Sequence, residues 1–145
     1  MRDKFFVDTN ILIYAHDRSG GIKHELARNL IEELWESGAG VLSAQVLQEA
    51  CVNLRKRVAR PLPGEEVRSL VQHYLAWEVV VSSGESVVRA LEIETRYHVS
   101  FWDALIIQAA EESGAEVLYS EDLNDQQKYG AVRVVNPLVS GRSEA

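Results

Sequence analysis

Phe5-Phe6-Val7-Asp8-Thr9-Asn10-Ile11-Leu12 decides how the chain is read. An apolar run stops abruptly at Asp-Thr-Asn and a second apolar run begins at once. A short apolar run of this kind fits a strand buried on both faces. Thr and Asn start helices, because their side-chain oxygens accept the unpaired N–H groups of a first turn. The pattern predicts Asp8 at the carboxyl end of a central strand, in the gap before a helix, where open α/β sheets bind ligands. Taken alone, Asp8 reads as a turn or cap residue, and only further carboxylates at matching places change that.

Working outward, strand and helix patterns alternate along the whole chain. Helices are expected at Asn10–Asp17, Lys23–Glu36, Ala44–Arg60 (stopped by Pro61), Pro63–Trp77, Ser86–Tyr97 and Phe101–Ser113. Strands after the first are expected at Val41–Ser43, Val79–Val81, Val117–Tyr119 and Val132–Val135. Strands separated by helices require crossover connections, hence an α/β fold with a mostly parallel five-stranded sheet and helices on both faces. The order of the strands does not follow from the pattern.

The chain has 145 residues, of which 46% are hydrophobic, enough for one domain with a sizeable core. Residues 1–139 read as that domain and the polar stretch 140–145 as a flexible tail. No apolar run approaches the ~20 residues that span a bilayer. Met-Arg-Asp-Lys leads straight into the first strand, so no signal peptide is expected. The single cysteine, Cys51, cannot form an internal disulfide and reads as a small core residue. A reducing cytoplasm is the expected location. The net charge of −7 argues against a basic nucleic-acid-binding surface, yet a nuclease that clusters acids around cations is also acidic. With such a balance, a polyanionic substrate needs metal to approach the acids.

Four acids have definite structural addresses. Asp8 follows the first strand. Asp122 follows the fourth, in Tyr119-Ser120-Glu121-Asp122-Leu123-Asn124-Asp125, where an Asx-turn is the alternative. Glu49 lies on the flank of its helix with Gln45, Asn53 and Lys56, off the apolar face of Val46, Leu47, Ala50, Cys51 and Leu54; a solvated helix side with a Glu–Lys pair is the alternative. Asp103 sits in the apolar helix Phe101-Trp102-Asp103-Ala104-Leu105-Ile106-Ile107, where burying a charge is costly unless it is paired or bound to metal. Ser100-x-x-Asp103 also matches a capping box, and both roles can hold together. Oxygen ligands of this kind select Mg²⁺ or Mn²⁺ over zinc. His16, His24, His73 and His98 are scattered, and no phosphate-cradling glycine loop or serine nucleophile elbow is present.

Asp8-Thr9-Asn10, Glu49, Phe101-Trp102-Asp103-Ala104 and Ser120–Asp125, in this order over nearly the whole chain, resemble the PIN-domain family and within it the VapC-type toxins of toxin–antitoxin pairs. The resemblance implies a three-layer α/β/α sandwich and a metal-dependent ribonuclease with its acid quartet at Asp8, Glu49, Asp103 and Asp122. It also implies that Thr9, Asn10, Ser43 and Ser120 orient the site, and Asp125 would be a fifth, water-mediated acid. Gln126 stands where many relatives carry Gly. One or two Mg²⁺ or Mn²⁺ ions held by the quartet would activate a water for in-line attack on an RNA phosphodiester. Lys56, Arg57 and Arg60 are candidates for a phosphate path, with helix C-terminal cations as the alternative reading; the latter is preferred for Arg55. The resemblance further implies a homodimer and an antitoxin-binding groove on the helices at 23–36 and 63–77. Trp35, Tyr74 and Trp77 are candidates for that surface, although core packing is the stronger reading.

Three other functions compete. A haloacid-dehalogenase-like phosphatase would need a second Asp where Asn10 stands. A non-catalytic RNA- or protein-binding module would lack one of the acids. A flap-nuclease-like DNA enzyme carries extra elements for which this chain lacks room.

Overall fold

The computed structural model describes residues 3–139 and 144–145. Strand β1 (Phe5–Val7) is buried throughout and pairs in parallel with both β2 (Gly40–Ser43) and β4 (Val117–Tyr119). β3 (Glu78–Val80) adds beside β2, and β6 (Val132–Val135) beside β4, all parallel. A two-residue strand, β5 (Lys128–Tyr129), closes the edge against β6 in antiparallel sense. The order β3-β2-β1-β4-β6-β5 therefore contains one strand beyond the five expected. β5 is too short for any alternation to announce it. Its hairpin is made by Gly130, whose φ of 62° suits glycine.

Successive strands run from β1 to one side of the sheet, and the chain then jumps to the other side at β4. The crevice outside the carboxyl ends of β1 and β4 is thus the topological switch point, where ligands bind in such sheets. Helices α1 (Thr9–His16), α2 (Ile22–Ser37), α3 (Ala44–Lys56) and α4 (Gly64–Tyr74) pack together in one layer. The other layer holds α5 (Gly84–Tyr97) and α6 (Phe101–Ser113). α6 is buried from Ala104 through Ala110 because it lies against the sheet under α5. Gly38 and Gly114 close α2 and α6 with left-handed backbone. Gly40 has a different reason: a Cβ there would stand 2.5 Å from the Trp77 ring, which lies over the start of β2.

α3 ends at Lys56, short of the Arg60 that Pro61 alone suggests. The N–H groups of Arg57 and Val58 both donate to Asn53 O, at 2.9 and 3.2 Å, and Leu62 N–H returns to Leu54 O at 2.9 Å. Residues 57–62 therefore turn back, and Arg60 leaves the side of the helix that carries Glu49. Arg55 Nε donates to Cys51 O at 3.0 Å, satisfying a carbonyl near the helix end. Cys51 is half-buried rather than fully internal. Tyr74 and Trp77 are core residues that stack edge-on, while Trp35 packs on both and stays partly in solvent. Of the tail expected at 140–145, residues 140–143 lie outside the described residues. Glu144 is held: its N–H donates to Tyr119 Oη at 2.7 Å and its carboxylate pairs with Arg133 at 3.4 Å.

Candidate active site

β1 delivers Asp8 to the switch point. Its extended backbone makes it the N-cap of α1, with Oδ1 accepting Thr9 N–H at 2.7 Å. Oδ2 accepts the Ser120 hydroxyl at 2.8 Å, and the Asp8 N–H donates to Tyr119 O at 2.9 Å. The cap role thus leaves the Asp8 carboxylate at the switch point. Only 5% of Asp8 is exposed. Burial pushes its carboxyl from 3.8 up to about 7, against the pull of Ser120 and Thr9, and the charges of Asp103 and Asp122 push the same way.

The next two residues each hold another acid. Thr9 Oγ1 donates to Glu49 Oε1 at 2.6 Å, reaching across to α3. Asn10 Nδ2 donates to Asp122 Oδ2 at 2.9 Å, while its Oδ1 accepts Glu121 N–H at 3.2 Å. Ser120 Oγ, besides donating to Asp8, accepts Asp122 N–H at 3.2 Å. Glu121 is clamped from outside by Lys23 Nζ at 2.6 Å. Three consecutive residues therefore tie together β1, α3 and the loop after β4.

Asp103 comes from the opposite layer, in the first turn of α6, where Ser100 caps by accepting its N–H at 3.1 Å. Its carboxyl is raised by partial burial and by the charges of Asp122 and Glu49. Ser43 caps α3 by accepting Val46 N–H at 3.2 Å, so it positions the helix that bears Glu49 rather than an acid directly.

Asp8, Glu49, Asp103 and Asp122 line one cleft of about 560 Å³, together with Thr9, Asn10, Gln45, Gln48, Asn53, Arg57 and Trp102. Among the described residues none of the four carboxylates has a Lys or Arg ion-pair partner. As placed, no three of them draw together into a ready-made metal-holding cluster among the described residues. Asp125 does not belong to the lining: its Oδ1 accepts the Asn136 N–H at 2.8 Å and the Gln126 amide at 3.1 Å, tying the loop to the end of β6. Of the basic trio only Arg57 lines the cleft: Lys56, the last residue of α3, does not, and Arg60 is carried off by the turn that follows the helix. Gln48, Val52 and Trp102 were not singled out from the sequence. Gln45, Gln48, Glu49 and Val52 repeat at helical spacing, which is the signal for a shared wall. Asn10 is engaged at both ends of its amide, so it has no role as the acid or base a phosphatase would need there.

Hard oxygen donors, a carboxyl whose charged form is disfavoured by burial, and the lack of ion-paired Lys or Arg among the described residues suit a divalent metal.

Fold and cleft together define an α/β protein with an acidic site at the switch point of a mostly parallel sheet. Residues 5–131 match the PIN domain, and the chain belongs to that family. Its fold is shared by a toxin–antitoxin complex from Klebsiella pneumoniae, at 20% identity and TM-score 0.66, over 93% of this chain and 98% of that one. It is shared by Mycobacterium tuberculosis VapC20, a sarcin-ricin loop cleaving toxin, at 22% identity and TM-score 0.64, over 82% and 90%. DNA-bound VapBC from Salmonella typhimurium matches at 19% identity and TM-score 0.62, over 92% and 97%. No curated protein sequence matches the chain.

Proposed function

We propose that the chain is a metal-dependent endoribonuclease, the toxin of a type II toxin–antitoxin pair. The observation that carries this is the convergence of Asp8, Glu49, Asp103 and Asp122, without a Lys or Arg ion-pair partner among the described residues, on one cleft at the switch point. Membership of the PIN family and the fold shared with VapC toxins support the same reading.

Asp8, Asp103 and Asp122 would hold Mg²⁺ or Mn²⁺, with Glu49 as a direct or water-mediated ligand. The bound cation supplies charge neutralisation on the phosphate and a lowered pKa for the attacking water. The protein's own residues do the positioning. Thr9 occupies one oxygen of Glu49 and leaves the other for the cleft. Asn10 and Ser120 fix the side chain and backbone of Asp122. Arg57 gives the lining a positive group for a phosphate oxygen.

The partners are an RNA substrate, a cognate antitoxin and a second copy of the chain; the antitoxin follows from likeness to VapBC complexes. Among the described residues no helix is long and apolar enough to cross a membrane. The test is cleavage of defined RNAs with Mg²⁺, Mn²⁺ or EDTA. Cleavage should require the cation and fall by orders of magnitude in Asp8→Asn. Equal rates in that variant, or in EDTA, would refute the site.

A further inference from the structure

Trp102 breaks the pattern of its own helix. The residues of α6 from Ala104 to Ala110 are all buried, yet Trp102 is 63% exposed. Its indole sits edge-on to Phe101, with centroids 5.4 Å apart and planes at 76°, the only ring contact it makes among the described residues. Its carbonyl accepts Gln45 Nε2 at 3.3 Å, linking the start of α6 to the start of α3. The backbone of Trp102 is thus tied to α3, and the residue lines the cleft that contains the acids, one position from Asp103.

What would cover such a ring follows from what shares the cleft. A single exposed aromatic marks nothing by itself; Trp102 counts because it lines the cleft that holds the four acids. Gln45, Gln48 and Asn53 line the same cleft with amide donors and acceptors, the chemistry that reads base edges. Arg57 adds a cation for a phosphate oxygen. A flat π-system flanked by polar edges and followed by phosphates is a nucleotide. An apolar protein helix would leave the amides and the carboxylates unmatched.

We propose that Trp102 is a stacking platform for a nucleobase next to the scissile phosphate, so that the substrate is single-stranded or looped RNA with an unstacked base at that position. The proposal deepens the ribonuclease reading and rests on it. A base already stacked in an A-form helix cannot offer its face to the indole, so duplex RNA of the same sequence is a poor substrate.

The test measures kcat and KM on a defined single-stranded RNA for wild type, Trp102→Phe and Trp102→Leu. The leucine variant should raise KM about 5- to 150-fold, the range of one base–aromatic stack, with the loss on KM rather than kcat. Phenylalanine should recover most of it, which a purely apolar contact would not require. A scan with single abasic nucleotides should find one position, beside the cut, where removing the base costs wild type about the same factor and costs Trp102→Leu almost nothing. Equal abasic losses in both proteins, or a wild-type KM in the leucine variant, would overturn the proposal. So would a change of oligomeric state in Trp102→Leu, which would assign the ring to a contact between copies. A wild type that cleaves nothing with either cation sinks the ribonuclease reading itself, and the stacking role falls with it.

Discussion

Asp8→Asn should separate stability from activity in opposite directions. In the folded chain burial lifts the Asp8 carboxyl from 3.8 to about 7. The folded state therefore binds a proton more tightly than the unfolded chain does. Stability is greatest where both states are protonated, below about pH 4, and declines as pH rises towards 7. Above that it levels off, because both states are then ionised. The full span of that decline is about 4 kcal/mol, from the size of the shift at about 1.4 kcal/mol per pH unit. Asparagine stays neutral throughout and keeps an oxygen for the Thr9 N–H. The stability of Asp8→Asn minus that of wild type, in EDTA, should climb by about 4 kcal/mol between pH 4 and pH 8. At pH 8 this corresponds to a melting point roughly 10 °C higher, once the hydrogen-bond change seen as an offset at pH 4 is removed. Urea unfolding at several pH values measures it. Adding Mg²⁺ at pH 8 should raise the melting point of wild type much more than that of the variant. If the two stability curves run parallel from pH 4 to pH 8, Asp8 titrates as an ordinary carboxylate and the burial argument is wrong.

Other predictions follow from particular contacts. His16, with its Nε2 2.6 Å from Tyr74 Oη, is held by burial at a pKa of about 4 instead of 6.5. Its neutral form is favoured in the fold, so this contribution is intact above pH 6.5 and is lost as pH falls towards 4, by about 3 kcal/mol. That slope opposes the one from Asp8, so it should emerge in Asp8→Asn and vanish when His16→Gln is added, as urea midpoints would record. Gly40→Ala would press a methyl into the Trp77 ring and should cost about 1–3 kcal/mol, seen as a lower melting point. A neutral result would mean that Trp77 moves aside freely. Thr9→Val keeps the volume but removes the hydroxyl that holds Glu49, so RNA cleavage should fall at least tenfold with an unchanged circular dichroism spectrum.

The central elements were readable because their signals are local. β1 and β4 are short apolar runs that end in turn residues, and α6 carries its own cap and its C-terminal glycine. The four acids had addresses for the same reason: each follows a strand or sits at a set place on a helix. What the sequence could not carry was decided by contacts between distant segments. β5 exists only because β6 lies beside it. The end of α3 is set by how residues 57–62 fold back, not by Pro61. Asp125 looked like another acid of the cleft, but the Asn136 N–H at the end of β6 takes its carboxylate. Gln126 follows in left-handed backbone, with φ of 70°, which is the conformation a glycine would adopt without strain. Trp102 carries no such signal, since a sequence does not distinguish an exposed indole from a packed one.

The Asp8-Thr9-Asn10 triplet explains why so compact a motif can organise a whole site. A strand followed directly by a helix changes backbone direction within one residue, so three adjacent side chains fan out instead of alternating. One meets Ser120 on β4's loop, one meets Glu49 on α3 and one meets Asp122. Any of these acids brought alone to the cleft would be repelled by the others. The hydroxyl and amide donors offset part of that repulsion without adding positive charge that would compete with a cation. The largest cost falls on Asp8, the one buried member of the four, where loss of water rather than repulsion is the main cause. A cost of about 4 kcal/mol is a large share of the 5–15 kcal/mol that holds a typical domain together. A fold keeps such a cost where an arriving charge relieves it. Cation binding and folding should therefore be linked through Asp8 more than through the exposed Asp122, and Asp8→Asn should remove more of the Mg²⁺-induced rise in melting point than Asp122→Asn does.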